Sequence, residues 1–183
     1  MKAISFLFFV GVAAATSRPL PLDKAGTARW LIRKNTWGFL ATTSVHLDGA
    51  PFGNVASFVD GTSTEKSTGV PYFYVSDMDT SQQDLLANPV CSFTVAEAEK
   101  SCLTDPQDPT CAKVTMTGVM ADVTDPAELS AARDALFAAH QEMKVWPVGH
   151  GWRVRRLDIR HVWLVDFYGG AADIPVAEYF AAS

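Results

Sequence analysis

Trp37-Gly38-Phe39-Leu40-Ala41-Thr42-Thr43-Ser44 leads, across Val45-His46-Leu47, to Asp48-Gly49 and then to Pro51-Phe52-Gly53-Asn54-Val55-Ala56-Ser57-Phe58-Val59. An Asp-Gly pair between two apolar, strand-forming runs is a strong hairpin signal, because both residues tolerate positive φ. The reading is two antiparallel strands, the second ending at Asp60-Gly61. The same alternation recurs downstream. Pro71-Tyr72-Phe73-Tyr74-Val75 is aromatic and β-branched and predicts a third strand. Residues 90–95 and 113–123 predict two more, and residues 152–157 and 162–167 the last two, ended by Gly169-Gly170. Residues 62–68 are Ser/Thr-rich and read as a loop, and residues 174–180 as a C-terminal tail.

Three short helices punctuate the strands. Asp23 can cap a helix over residues 23–35, with Ala28, Leu31 and Ile32 on one side and Arg29, Arg33 and Lys34 on the other. Residues 80–88 form a second, stopped by Pro89. Asp125-Pro126-Ala127-Glu128 opens a third that runs to Ala139, with Pro126 suited to its first turn. About seven short strands without βαβ alternation argue for an antiparallel barrel with helices, mostly β, and against a parallel sheet. No repeat or linker divides the chain.

At 183 residues and 48% apolar, the chain can bury one domain-sized core. The net charge of −5 is spread without runs, so neither nucleic-acid binding nor membrane insertion is expected. Met1-Lys2, the apolar run through Val12 and Ala13-Ala14-Ala15 have the form of a secretory signal, with cleavage near Ala15 or Ser17. Residues 1–17 are therefore read as the signal, 18–22 as a Pro-rich extended arm, and 23–183 as the domain. An oxidising compartment favours a bridge between Cys102 and Cys111, which flank a loop carrying Pro106 and Pro109. Cys91, inside an apolar run, reads as a small buried hydrophobe.

Catalytic patterns are sparse. The sequence has no G-x-S-x-G, P-loop or G-x-G-x-x-G, and His46, His140, His150 and His161 make no metal-ligand spacing with one another. The histidines read as structural or solvated, and no metal or catalytic residue is assigned. Trp146, Trp152, Trp163, Tyr72, Tyr74 and Tyr168 are read first as core residues and second as interface residues.

The segments Trp37-Gly38-Phe39-Leu40-Ala41-Thr42, Pro51-Phe52-Gly53-Asn54-Val55 and Gly69-Val70-Pro71-Tyr72-Phe73-Tyr74-Val75-Ser76 resemble the CREG family. So do the cysteine-bracketed loop containing Asp105-Pro106-Gln107, the stretch His140-Gln141-Glu142-Met143-Lys144-Val145-Trp146-Pro147, and IRHVWLVDFYGG from Ile159. In this order the motifs are highly specific. The resemblance implies a split antiparallel β-barrel of the FMN-binding, pyridoxamine-phosphate-oxidase type, paired as a homodimer. It also implies a secreted or endolysosomal protein that acts on a protein partner to restrain growth and promote differentiation, and one that has lost flavin binding.

Were a flavin crevice retained, resemblance would place Asn54, Ser57, Ser76, Ser81, Gln83 and Lys113 around it. Gln83 stands where flavin-binding relatives are expected to carry an arginine, and Asp77, Asp79 and Asp84 add negative charge. A phosphate leaving water needs compensating charge or several donors, so no cofactor is expected, although Lys113, Arg153, Arg155 and Arg156 could compensate. Asn35, Asn54 and Asn88 begin no N-x-[ST] sequon, so N-glycosylation is not expected either. His140-Gln141 replaces a His-Pro pair common in the family, which relaxes the turn after the third helix.

Overall fold

A computed structural model of the protein describes residues 17–20, 22–63, 66–97, 102 and 104–182. The signal-like segment lies almost entirely outside these residues. The hairpin forms as read: β1 (Trp37–Thr43) pairs antiparallel with β2 (Pro51–Ser57), Phe39 opposite Val55. Asp48 and Gly49 take φ of 52° and 88° in the connecting turn.

The second run does not continue as one strand to Val59. Phe58 turns inward, fully buried, and β3 (Val59–Asp60) leaves to pair with β4 (Pro71–Ser76). This break carries the chain from one side of the barrel to the other. β5 (Val90–Ala96) and β6 (Lys113–Asp122) follow, and β7 (Trp152–Val165) is one long strand where two were expected. His161 thus sits within a strand. The expected gap is a register shift opposite Thr117/Gly118 that lets β7 bend while its pairing with β6 continues. Gly118 is required there, because a Cβ would collide with the Asp158 carbonyl oxygen. The first half of β7 pairs with β4, and its second half with β8 (Ala172–Ile174). The sheet order is β2-β1-β5-β6-β7-β4-β3, with β8 beside β7.

Helix α1 (Lys24–Lys34) is capped by Asp23 and buries Ala28, Leu31 and Ile32 against the barrel interior. The expected C-terminal tail is instead β8 followed by α4 (Val176–Ala181), whose Tyr179 is fully buried and donates to the Gly69 carbonyl. Helix α2 (Thr80–Ala87) follows β4, and α3 (Pro126–Ala139) packs Ala132, Ala135 and Leu136 against Val59, Tyr72 and Val154. Phenylalanines fill the centre: Phe58, Phe73 and Phe93 lie within 6.4 Å of one another, ring to ring. Trp146, Trp152 and Trp163 do not: contrary to the core reading all three are at least partly exposed, Trp146 and Trp152 lining a cleft and Trp163 standing on the outer sheet face.

Cys102 and Cys111 are joined, their Cα atoms 5.7 Å apart. Cys91 is buried, and burial pushes its thiol up to about 11, so it is inert near neutral pH. The arm is tied down at Arg18, which donates to Glu97 at 2.7 Å and to the carbonyls of Thr110 and Asp166.

Candidate functional site

Between the start of α2, the inner side of β2 and the β4–β7 corner lies a cleft of about 390 Å³. Asn54, Ser57, Ser76 and Ser81 all line it, so four of the six residues placed there by resemblance come together. Asn54 Nδ2 bridges Asp79 Oδ2 at 3.3 Å and Ser81 Oγ at 3.1 Å. Ser76 Oγ donates to the His150 carbonyl at 2.7 Å and accepts the Met78 N–H, which fixes the turn into α2.

The other two are elsewhere. Gln83 is exposed on the outer side of α2, where its amide donates to the Asp77 carbonyl. The helix turns its neighbour inward: Gln82, only 3% exposed, lines the cleft. The 3.6-residue period gives the reason, since Ser81 and Gln82 share a face with buried Leu85 and Gln83 does not. Lys113, at the start of β6, turns back over the cysteine loop; its ammonium donates to the carbonyls of Pro106, Gln107 and Asp108 at 3.0–3.2 Å.

The charges sort differently from the sequence reading as well. Of the three aspartates, only Asp79 faces the cleft. Asp77 pairs with Arg153 at 2.6 Å. Asp84 is buried and holds the hairpin, accepting from Thr42 Oγ1 at 2.7 Å and the Val45 N–H at 2.8 Å. The arginines are committed to carboxylates: Arg153 to Asp77 and Asp122, Arg155 to Asp122, Arg156 to Glu128 and Asp158. The Asp77 hydrogen bond holds Arg153 above the ordinary arginine range, and the Glu128 bond does the same for Arg156. Arg155 also donates to Gln82 Oε1 at 3.1 Å.

Among the described residues, no lysine, arginine, histidine or cysteine lines the cleft. The N-terminus of α2, a natural phosphate seat, already gives its Gln82 N–H to the Asp79 side chain. A flavin phosphate therefore does not fit here: the donor set ends in a carboxylate, with no cation to balance two phosphate charges.

The opposite wall is aromatic and was not singled out as a site from the sequence. Tyr74 stacks on Trp152 (5.1 Å, 14°) and on Trp146 (6.0 Å, 22°). Trp146 and Trp152 lie 4.9 Å apart, and His150 stacks against Trp152 at 5.9 Å. The signal was present in Tyr74 and the Trp146-Pro147…Trp152 spacing, but only the β4–β7 pairing, with Tyr74 opposite Val154 and Ser76 opposite Trp152, brings them together.

The sequence matches the family model described as CREG, beta-barrel over residues 19–181. Protein CREG1 of Gallus gallus is 36% identical over 189 residues, covering 98% of both chains. Protein CREG2 of Mus musculus is 39% identical over 176 residues; the alignment covers 93% of this chain and 60% of the mouse protein. Among solved structures, a heme binding protein from Mycobacterium smegmatis superposes with a TM-score of 0.72 at 26% identity, over 92% of this chain and 63% of that one. The split-barrel architecture and the family match agree: this chain belongs to the CREG family.

Proposed function

We propose that the protein is not an enzyme but a secreted homodimer that engages another protein, extracellular or endolysosomal, and through it restrains growth in favour of differentiation. The observation that carries the non-catalytic reading is the polar end of the cleft, where Asp79 stands and the neighbouring arginines are tied to other carboxylates. Of the side chains that ligate haem iron, the described cleft wall offers no histidine or cysteine and only Tyr74, Met78 and Met143. Family membership and the Cys102–Cys111 bridge support secretion and a partner-binding role.

The outer sheet face supports pairing. Val55, Phe39, Thr94, Thr115 and Trp163 lie opposite one another across five strands, with Gly53, Ala41, Ser92, Thr117 and His161 in the next row. Thr94 and Thr115 share a hydrogen bond at 2.8 Å, and Ser92 and Thr117 one at 2.7 Å. Within each pair one hydroxyl donates to the other, so a second copy covering them meets one remaining O–H donor per pair, which an acceptor or water at the interface can take. Phe39, Val55 and Trp163 remain 41–57% exposed around this flat surface, a composition suited to an interface core.

Purified protein is to be titrated with FMN and with haem and its mass measured by size exclusion with light scattering. The expected outcome is a dimer with no saturable flavin or haem spectrum. Stoichiometric FMN bound with its absorbance shifted would replace this reading with a redox role, and a strict monomer at micromolar concentration would remove the homodimer.

A further inference from the structure

The cleft has three properties that together specify a ligand. Its wall is the stack of Tyr74 on Trp146 and Trp152, the two indoles inclined at 34° to each other, so the cleft meets one side of an aromatic stack and not a box of faces turned inward. Its polar end holds one carboxylate, Asp79, with no basic residue among the described lining. Gln82 is 3% exposed, and Arg155 takes its carbonyl oxygen, while its amide N–H groups have no partner among the described residues. The amide nitrogen is not sealed from solvent, so in the cleft it is available to an acceptor brought by a ligand.

We infer that the cleft receives an arginine side chain presented by the partner protein. This rests on the reading that the protein works by engaging another protein. A guanidinium is planar and stacks on aromatic faces, and its fork of N–H groups matches a carboxylate. Asp79 supplies that carboxylate, and a peptide carbonyl beside the arginine supplies the acceptor for Gln82. An ammonium suits this wall less, since it gains most from ring faces on several sides. The cleft's volume exceeds what a small ammonium fills, whereas an arginine stem with its flanking backbone suits it. The fold already sets a guanidinium on a ring internally: Arg29 Cζ lies 5.5 Å from the Tyr179 ring centroid while its Nη2 donates to Ser67 O and Oγ.

The test uses the full mature protein and small amide-capped probes: N-acetyl-arginine methylamide, its neutral isostere N-acetyl-citrulline methylamide, and N-acetyl-lysine methylamide. The indole N–H signals of Trp146 and Trp152 are followed by NMR, assigned with Trp146→Phe. The arginine probe should shift both saturably, with affinity in the millimolar range and about tenfold above the citrulline probe. Asp79→Asn, which keeps a good helix cap, should abolish that preference, and Trp146→Ala should weaken binding with unchanged circular dichroism. Equal binding of arginine and citrulline, equal binding of lysine, survival of the preference in Asp79→Asn, or no saturable response to arginine each overturns the inference. None of those outcomes touches the non-catalytic reading, which fails only if FMN or haem binds stoichiometrically.

Discussion

Asp84 separates a structural account of the acidic residues from an electrostatic one. It is 1% exposed on α2 and holds the β1–β2 hairpin through Thr42 Oγ1 at 2.7 Å and the Val45 N–H at 2.8 Å. Replacing it with alanine strands two donors, each costing about 1–3 kcal/mol. Relief of a buried carboxylate offsets part of that, leaving a net loss of about 3 kcal/mol, or roughly 6–12 °C in Tm for a domain of this size. Asp84→Asn keeps an acceptor for Val45, and the Thr42 hydroxyl can turn to accept from the new amide, so its cost is about 1 kcal/mol. The assay is urea unfolding of both variants, of Thr42→Val and of the double variant Thr42→Val/Asp84→Ala, with FMN titration of each. The double variant should lose less than the sum of the singles, because the two residues share a bond. If Asp84→Ala cost under about 0.5 kcal/mol, or if Asp84→Asn raised FMN affinity, then Asp84 would be a groove charge and the structural role would be wrong.

Gly118→Ala forces its Cβ against the Asp158 carbonyl at the bend of β7, and should cost about 1–3 kcal/mol in urea unfolding. Cys111→Ser opens a loop of sequence separation 9 and should lose about 2–3 kcal/mol by the loop-closure relation; the wild type under reductant should match it. Burial first, and then the Glu128 hydrogen bond, push Tyr72 up to about 12 from 10.0. A folded value above the unfolded one means stability that is full below pH 10.0 and lost as pH rises through about 12, so Tyr72→Phe should flatten the alkaline limb of the unfolding free energy. Glu128 is held below its ordinary 4.5, chiefly by the Arg156 hydrogen bond. Its contribution is therefore present above that value and lost as pH falls below it, and Glu128→Gln should flatten the acid limb in the same measurement.

The parts of the fold visible in the sequence were those set by local chemistry. Asp48-Gly49 marked its hairpin because positive φ is a property of the residues themselves, and Asp23 and Asp125 stand at the N-caps of α1 and α3. What stayed hidden depends on distant partners. The bend in β7 exists because Gly118 on another strand leaves room for it, so from its own residues the strand read as two. Val176–Ala181 is too short to hold a helix by propensity and does so because Tyr179 reaches the barrel interior. The cleft divides the same way. Asn54, Ser57, Ser76 and Ser81 were placed by motif order, whereas the aromatic wall required the pairing of β4 with β7.

The electrostatics of the cleft turn on one residue of helical phase. Counting acids in residues 77–84 suggests a repulsive groove of three carboxylates, yet only Asp79 acts there, because Asp77 is neutralised by Arg153 and Asp84 faces the hairpin. Counting cations suggests that Arg153, Arg155 and Arg156 could restore a phosphate seat, yet each carries a carboxylate partner within 3 Å. Freeing Arg153 or Arg156 would leave Asp77 or Glu128 without its cation, and freeing Arg155, itself 5% exposed, would strand the Gln82 carbonyl and the Met120 carbonyl. Recovering a phosphate site would thus take a new cation at position 82, on the inward face of α2, and not at position 83, where an added arginine would project to solvent. Gln82→Arg should gain measurable FMN affinity, offset in part by losing the acceptor of Arg155 and by the like charge brought beside it, and Gln83→Arg should not; if the position 83 variant bound the flavin instead, the phase assigned to α2, and with it the geometry of the cleft, would be wrong.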